Sequence, residues 1–156
     1  MSAFDYELGD LVKDKITGFV GRVVQASEWL NGCNTYLVQS PELKNGVPAD
    51  EVFFDEPQLT PEDLRPGPRR TPFWVYHLGD KVRDKVTNFN GVIIHRTLTY
   101  ADNIYGVQST ELQDGVPIKH QNMYEGRLAL VTPVNSDPSL YPDETGGPEK
   151  NTSIPL

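Results

Sequence analysis

The sequence holds one cysteine, Cys33, so it can form no internal disulfide, and a fold stapled for an oxidising compartment is excluded. Zinc-binding patterns are missing too. No cysteine pair or His-x-x-x-His stands at ligand spacing, and His77, His95 and His120 lie far apart, each expected as a surface or edge residue rather than a metal ligand. There is no phosphate-cradling Gly-x-x-x-x-Gly-Lys and no Gly-x-Ser-x-Gly nucleophile turn, which removes the commonest nucleotide and hydrolase readings. Positive charge is scarce. With 14 basic against 22 acidic residues, a net charge of −8 and a pI near 4.8, the chain repels a polyphosphate backbone, so no nucleic-acid partner is expected. No apolar run approaches the roughly 18 residues of a membrane helix, and Met1 to Asp5 has neither the basic nor the apolar region of a signal peptide, so no membrane partner or secretion is expected. Apolar residues nowhere recur with a 3.6-residue period over a helix length, so helix should be almost absent.

What the chain does have is a long stretch written twice. Leu8-Gly9-Asp10-Leu11-Val12-Lys13-Asp14-Lys15-Ile16-Thr17-Gly18-Phe19-Val20-Gly21 returns 70 residues later as Leu78-Gly79-Asp80-Lys81-Val82-Arg83-Asp84-Lys85-Val86-Thr87-Asn88-Phe89-Asn90-Gly91. The match resumes at an offset of 69, with Tyr36 to Pro48 facing Tyr105 to Pro117. A period of that length makes each copy a small domain rather than one turn of a solenoid. The expected units are residues 1–59 and 76–132, each close to the lower size at which one core folds unaided. Between them, residues 60–75 carry Pro61, Pro66, Pro68 and Pro72, which predicts a semi-rigid linker holding the units apart. Residues 133–156 form a tail rich in proline, glycine and acidic residues that cannot build a core of its own.

Within each copy, short β-branched and aromatic runs alternate with glycine turns. Arg22 to Ala26 faces Val92 to Arg96, Thr35 to Gln39 precedes a turn through Asn45-Gly46, and a fourth strand is expected near Glu51 to Phe54. The fold class read from this pattern is all-β, a tandem repeat of small antiparallel barrels. Gly-Asp-x-Val-x-Asp-x-x-Thr-Gly-Phe-x-Gly-x-Val resembles the opening hairpin of SH3-like barrels, including the KOW and Tudor types. Leu-Gly-Asp-x-Val-x-Asp-Lys-Val-Thr-x-Phe-x-Gly, followed by Tyr-x-Val-Gln, is similar to small proteins encoded by tailed phages and prophages, usually one copy long. The resemblance covers about two thirds of the chain. It implies an SH3-like fold and a viral origin, and it carries no catalytic residue over.

Val12/Val82, Ile16/Val86, Val23/Ile93 and Val38/Val107 keep apolar character in both copies and are the expected core. Gly18 and Asn88 are expected at equivalent turn positions with positive φ. Asp10, Asp14, Asp80 and Asp84 repeat, but an aspartate after glycine caps a turn and Asp14 lies between two lysines as a solvated edge charge, so no catalysis is expected. No enzyme activity, cofactor or metal is read from the sequence. Contact with other proteins is expected instead. Trp29, Tyr36, Phe53 and Phe54 in copy one, with Tyr100, Tyr105 and Tyr124 in copy two, are candidate binding aromatics, Trp29 being expected exposed. Phe73-Trp74 is expected to staple the second unit to the first. Val134, Leu140, Tyr141, Ile154 and Leu156 are candidate anchors of a tail that orders only against a partner. The functional expectation is a non-enzymatic structural protein of a phage virion, such as a capsid decoration or head protein. Its partners would be protein subunits of the particle, and it would be an oligomer or part of a larger assembly. The alternative is a phage-encoded antagonist in the host bacterial cytoplasm, binding a host protein or sequestering a small signalling molecule.

Overall fold

A computed structural model describes residues 4–67 and 72–141. Residues 1–3, the linker residues 68–71 and the tail residues 142–156, with the candidates Ile154 and Leu156, lie outside the described residues. Among the described residues every regular element is a strand or a short 3-10 turn, and every strand pairing is antiparallel. The all-β expectation holds.

The first copy comprises β1 (Leu11–Asp14), β2 (Val20–Trp29), β3 (Thr35–Gln39), a two-stranded ribbon of β4 (Leu43–Lys44) and β5 (Val47–Pro48), β6 (Val52–Asp55), a 3-10 turn at Glu56–Gln58, and β7 (Leu59–Asp63). The second repeats the series with β8 (Lys81–Asp84), β9 (Asn90–Thr99), β10 (Asn103–Gln108), the ribbon of β11 (Leu112–Gln113) and β12 (Val116–Pro117), β13 (Gln121–Tyr124), a 3-10 turn at Glu125–Arg127, and β14 (Leu128–Thr132). In each, the last strand returns to pair with the first, giving the orders β7-β1-β2-β3-β6 and β14-β8-β9-β10-β13. The residues Thr60–Asp63, read as linker, therefore belong to β7, where Pro61 sits opposite Val12. An outer strand tolerates the missing donor.

The copies are not spaced apart. β2 pairs with β9 and joins them into one 10-stranded sheet, which overturns the expectation of two separate barrels on a stiff spacer. The reason lies in the length and bend of β2. β1 covers only Val20 to Arg22, and the register against β3 shifts between Val23 and Gln25, a bulge-like irregularity of the kind that bends a strand. Beyond the bend the edge of Gln25 to Trp29 is uncovered by β1, and β9 repeats the geometry. Such an edge invites pairing. The two equivalent edges satisfy each other, with Gln25 opposite Thr99, Ser27 opposite Thr97 and Trp29 opposite His95. Ser27 and Thr97 are equivalent positions, so the pairing has the self-complementary form of a two-fold interface written within one chain.

Two apolar clusters flank this seam. Val12, Val23, Tyr36 and Val38 centre the first, and Val82, Ile93, Tyr105 and Val107 the second. Phe4 and Tyr6, ahead of the first strand, join the first cluster. Trp74 packs against both clusters, as the staple reading expects, whereas Phe73 is exposed. Three of the four expected core pairs are fully buried, but Ile16 and Val86 are 77% and 72% exposed. The Asp14 carboxylate accepts the amides of Ile16 at 3.2 Å and Thr17 at 3.1 Å, which ends β1 and turns Ile16 outward. Gly18 and Asn88 occupy the matching turn position with φ of 79° and 66°, as expected for an asparagine that stands in for glycine.

Candidate functional site at the seam

The repeated aspartates are structural and buried. Asp10 accepts the Glu7 amide at 2.8 Å and the Arg65 amide at 2.6 Å, while Asp80 accepts those of His77 and Val134, each at 2.8 Å. Asp14 is not the solvated edge charge expected. Its carboxyl is held down to about 2, foremost by the Thr17 hydroxyl and, against the cost of burial, by Gln58 and two backbone amides. Arg127 takes the place of Gln58 in the second copy, at 2.7 Å and 3.0 Å from Asp84, and holds that carboxyl well below the usual range.

The candidate contact residues divide. Tyr36 and Tyr105 are fully buried, so they are not contact residues. Each hydroxyl accepts two backbone amides, those of Asp5 and Tyr6 or of Val75 and Tyr76, and donates to Glu56 or Glu125. Burial, and then the glutamate, pushes both phenols above the ordinary value. They tie the entering chain of each copy to its own core, a task the sequence does not reveal because the entering segment carries no strand pattern. Phe53, Tyr100 and Tyr124 are exposed. Phe54 is half-buried against Phe19, with ring centroids 5.8 Å apart.

The first part of the tail does not wait for a partner. The Val134 amide and the Tyr141 hydroxyl reach Asp80 Oδ1, at 2.8 Å and 2.7 Å, and the Leu140 carbonyl accepts from His77. Residues 134–141 thus seat on the second copy's own Gly-Asp turn, as Arg65 does on the first. Composition hides this because the anchors are backbone groups and one phenol.

Trp29 is half-buried, not exposed. Its indole N–H donates to Thr35 Oγ1 at 2.9 Å, and its ring lies across the seam on His95, centroids 4.6 Å apart. His95 is buried and also meets His120 at 5.4 Å. This corrects the reading of His95 as a surface or edge residue, while His120 is half-buried beside it. His95 Nε2 lies 2.9 Å from Asn122 Oδ1 and Nδ1 lies 3.0 Å from Thr97 Oγ1, which in turn lies 2.6 Å from Ser27 Oγ. The imidazole fits because residue 106 is glycine: an added Cβ would stand 2.2 Å from the ring. Burial pushes the His95 pKa down and His120 pushes it further, opposed by Asn122. A signal for this cluster was present in the repeat. His95, Gly106 and Asn122 are adjacent across three strands, and the first copy has Gln25, Leu37 and Phe53 there, adjacent in the same way. All three positions differ between the copies.

On the opposite face of the same strands, the buried Glu28 and the half-buried Arg96 form an ion pair of 2.8 Å across the seam. Arg96 also donates to the Tyr76 carbonyl at 3.0 Å and lies over the Trp74 ring at 4.9 Å. These groups are bonded to one another and make a joint rather than a reaction centre.

No family model and no curated protein matches the sequence. Among solved structures the chain is similar to the crystal structure of ADCP1 tandem Agenet domain 3-4, with 21% identity over 81% of this chain and 80% of that one, at a TM-score of 0.28. So loose a likeness carries nothing about the site.

The remaining surface feature is the pair of ribbons. Glu42-Leu43 and Gly46-Val47-Pro48 recur as Glu111-Leu112 and Gly115-Val116-Pro117, and both turns place two residues at positive φ, Asn45-Gly46 and Asp114-Gly115. That is the type I′ geometry of a tight hairpin. Leu43 and Leu112 are 66% and 64% exposed, and Val47 and Val116 are exposed with them.

Proposed function

We propose that the chain is a non-enzymatic interaction protein: two SH3-like units, joined into one body through β2 and β9, that present two equivalent ribbons to neighbouring protein subunits. The observation that carries this reading is the retention of apolar ribbon residues at positions where the fold does not bury them. Leu43/Leu112 and Val47/Val116 stay apolar in both copies while exposed, whereas exposed apolar groups kept together commonly mark contact sites. Two such ribbons related by the seam suit a partner surface that itself repeats, because a second simultaneous contact raises avidity without new chemistry. The strand order, with a 3-10 turn before a last strand that returns to the first, supports the SH3-like reading.

The setting in which these features make most sense is a phage particle, as a capsid decoration or head protein. That part rests on the repeated Leu-Gly-Asp-x-Val-x-Asp motif. The test is quantitative mass spectrometry of purified particles carrying the wild-type chain or the pair Leu43→Asp and Leu112→Asp. The wild type should be present in many copies and the variant, still folded by circular dichroism, should be lost. Absence of the wild-type chain from particles overturns the virion reading in favour of an infection-stage antagonist. A variant that loads normally overturns the ribbons as the contact surface.

A further inference from the structure

We propose that the His95 cluster makes the seam pH-sensitive, so that mild acidification loosens the β2–β9 pairing while each copy keeps its own sheet. The device is independent of which partner the ribbons bind.

The argument starts from the hydrogen bonds. With Asn122 Oδ1 facing it at 2.9 Å, His95 Nε2 carries the ring proton and Nδ1 is left as an acceptor for the Thr97 hydroxyl at 3.0 Å. Thr97 then accepts from Ser27 at 2.6 Å. The neutral imidazole satisfies every group in this relay, which crosses the seam at its two-fold point. A second proton must go to Nδ1. Thr97 would then have to turn its own proton toward Ser27, and the Ser27 hydroxyl, buried in the sheet, would lose its acceptor. The relay that ties the copies together runs backwards.

Charge adds to the effect. Among the described residues the groups that face His95 are Thr97 on its own strand, Trp29 of β2, Gly106 of β10, Asn122 of β13 and His120 just before it. Only His120 of these titrates, and its charge is of the same sign. Glu28 and Arg96 point to the other face of the sheet, since neighbours along a strand alternate, and are paired with each other. Among the described residues the imidazolium therefore has no counter-ion, it is buried, and Trp29 from the other copy covers it. Burial holds its pKa below the ordinary 6.5. A separated seam exposes the ring and lets it ionise at the ordinary value, so the open form binds the proton more tightly. Closure is then fully favoured above pH 6.5 and weakens as pH falls toward the lower, closed-state value.

The test is amide hydrogen exchange on the full chain at about pH 7.5 and about pH 5, corrected for intrinsic rates and compared with His95→Gln, which installs the residue found at position 25. In the wild type, protection of residues 25–29 and 95–99 should fall by about tenfold for each pH unit crossed within the window, while β1 and β8 hold. In His95→Gln the seam should be indifferent to pH. Equal seam protection at both pH values in the wild type, or an unchanged fall in His95→Gln, overturns the proposal. Should His95→Gln fail to fold, the His95 ring is titrated by NMR in the wild type. Its midpoint must lie below 6.5, at the lower end of the pH range over which seam protection falls, and a midpoint at or above 6.5 overturns the proposal.

Discussion

Gly106→Ala should be among the most damaging small substitutions in this chain, and its damage should be reparable at one place. The added Cβ would stand 2.2 Å from His95 Cδ2 and 2.3 Å from Nε2, inside any real contact, so the imidazole must leave. Overpacking of that kind costs about 1–3 kcal/mol. The displaced ring also gives up its bonds to Asn122 and Thr97, at about 1 kcal/mol each. A loss near 4 kcal/mol corresponds to about 8–16 °C in Tm for a cooperative unit of this size. The assay is a double-mutant cycle by thermal denaturation with Gly106→Ala, His95→Gln and both together. Because the first copy accommodates Leu37 opposite Gln25, the double variant should melt close to His95→Gln alone, so that the coupling approaches the whole cost of Gly106→Ala, about 4 kcal/mol. Gly91 makes a control. Its added Cβ would meet the Gln108 carbonyl oxygen at 2.2 Å, which is backbone, so His95→Gln should give Gly91→Ala no relief. If Gly106→Ala lowers Tm as much with Gln at 95 as with His, the imidazole is not what the glycine makes room for.

Val107→Ala removes two methyl groups from a fully buried site and should cost about 2 kcal/mol, whereas Val86→Ala, exposed on its turn, should stay within about 0.5 kcal/mol. Urea titration of the two variants separates them, and equal costs would refute the placement of Val86. Acid titration should show a loss of stability assigned to Asp14. Its folded-state pKa, about 2, lies below the ordinary 3.8, so the unfolded chain takes up the proton first. The contribution is complete above the ordinary value and is lost as pH falls between the two. Melting temperatures followed from about pH 5 to about pH 2 should decline, with a shallower slope for Asp14→Asn. An unchanged slope would mean the carboxylate is not held as described.

The strands and most of the core were legible in the sequence because they depend on local pattern: period-two apolar positions, glycine turns, and the substitution of Asn88 for Gly18. Ile16 and Val86 were misread because an apolar residue two positions after an aspartate looks like a strand continuing, while the carboxylate bonding to the next amides ends the strand there. The seam was hidden for a different reason. Which strands pair depends on which edges are left open, and the open half of β2 exists only because its register shifts beyond Val23, a bend without a residue signature of its own. Tyr36 and Tyr105 illustrate the remaining difficulty. A tyrosine at a binding surface and a tyrosine whose hydroxyl anchors a buried turn have the same spelling, and only the position of Glu56 or Glu125 relative to it tells them apart.

The differences between the copies are as informative as what they share. If the first copy paired with another of its kind in the same register, Gln25 would lie opposite Trp29 at both ends of the seam; two second copies would set His95 opposite Thr99 at both ends. The observed chain has Gln25 with Thr99 at one end and Trp29 with His95 at the other. The ring contact of Trp29 with His95 therefore exists only where one copy meets the other, and neither sequence could make it alone. The residues that accommodate the imidazole, glycine at 106 and asparagine at 122, fall in the copy that faces Trp29, while the first copy has Leu37 and Phe53 at those positions. Fusion into one chain is what permits this, since identical subunits would have to carry any change at both ends. The ribbons show the opposite pattern: their exposed leucine, valine and proline are the same in both copies. The contact proposed for the ribbons is thus one that a single unit could offer, and the histidine cluster is a property of the doubled chain.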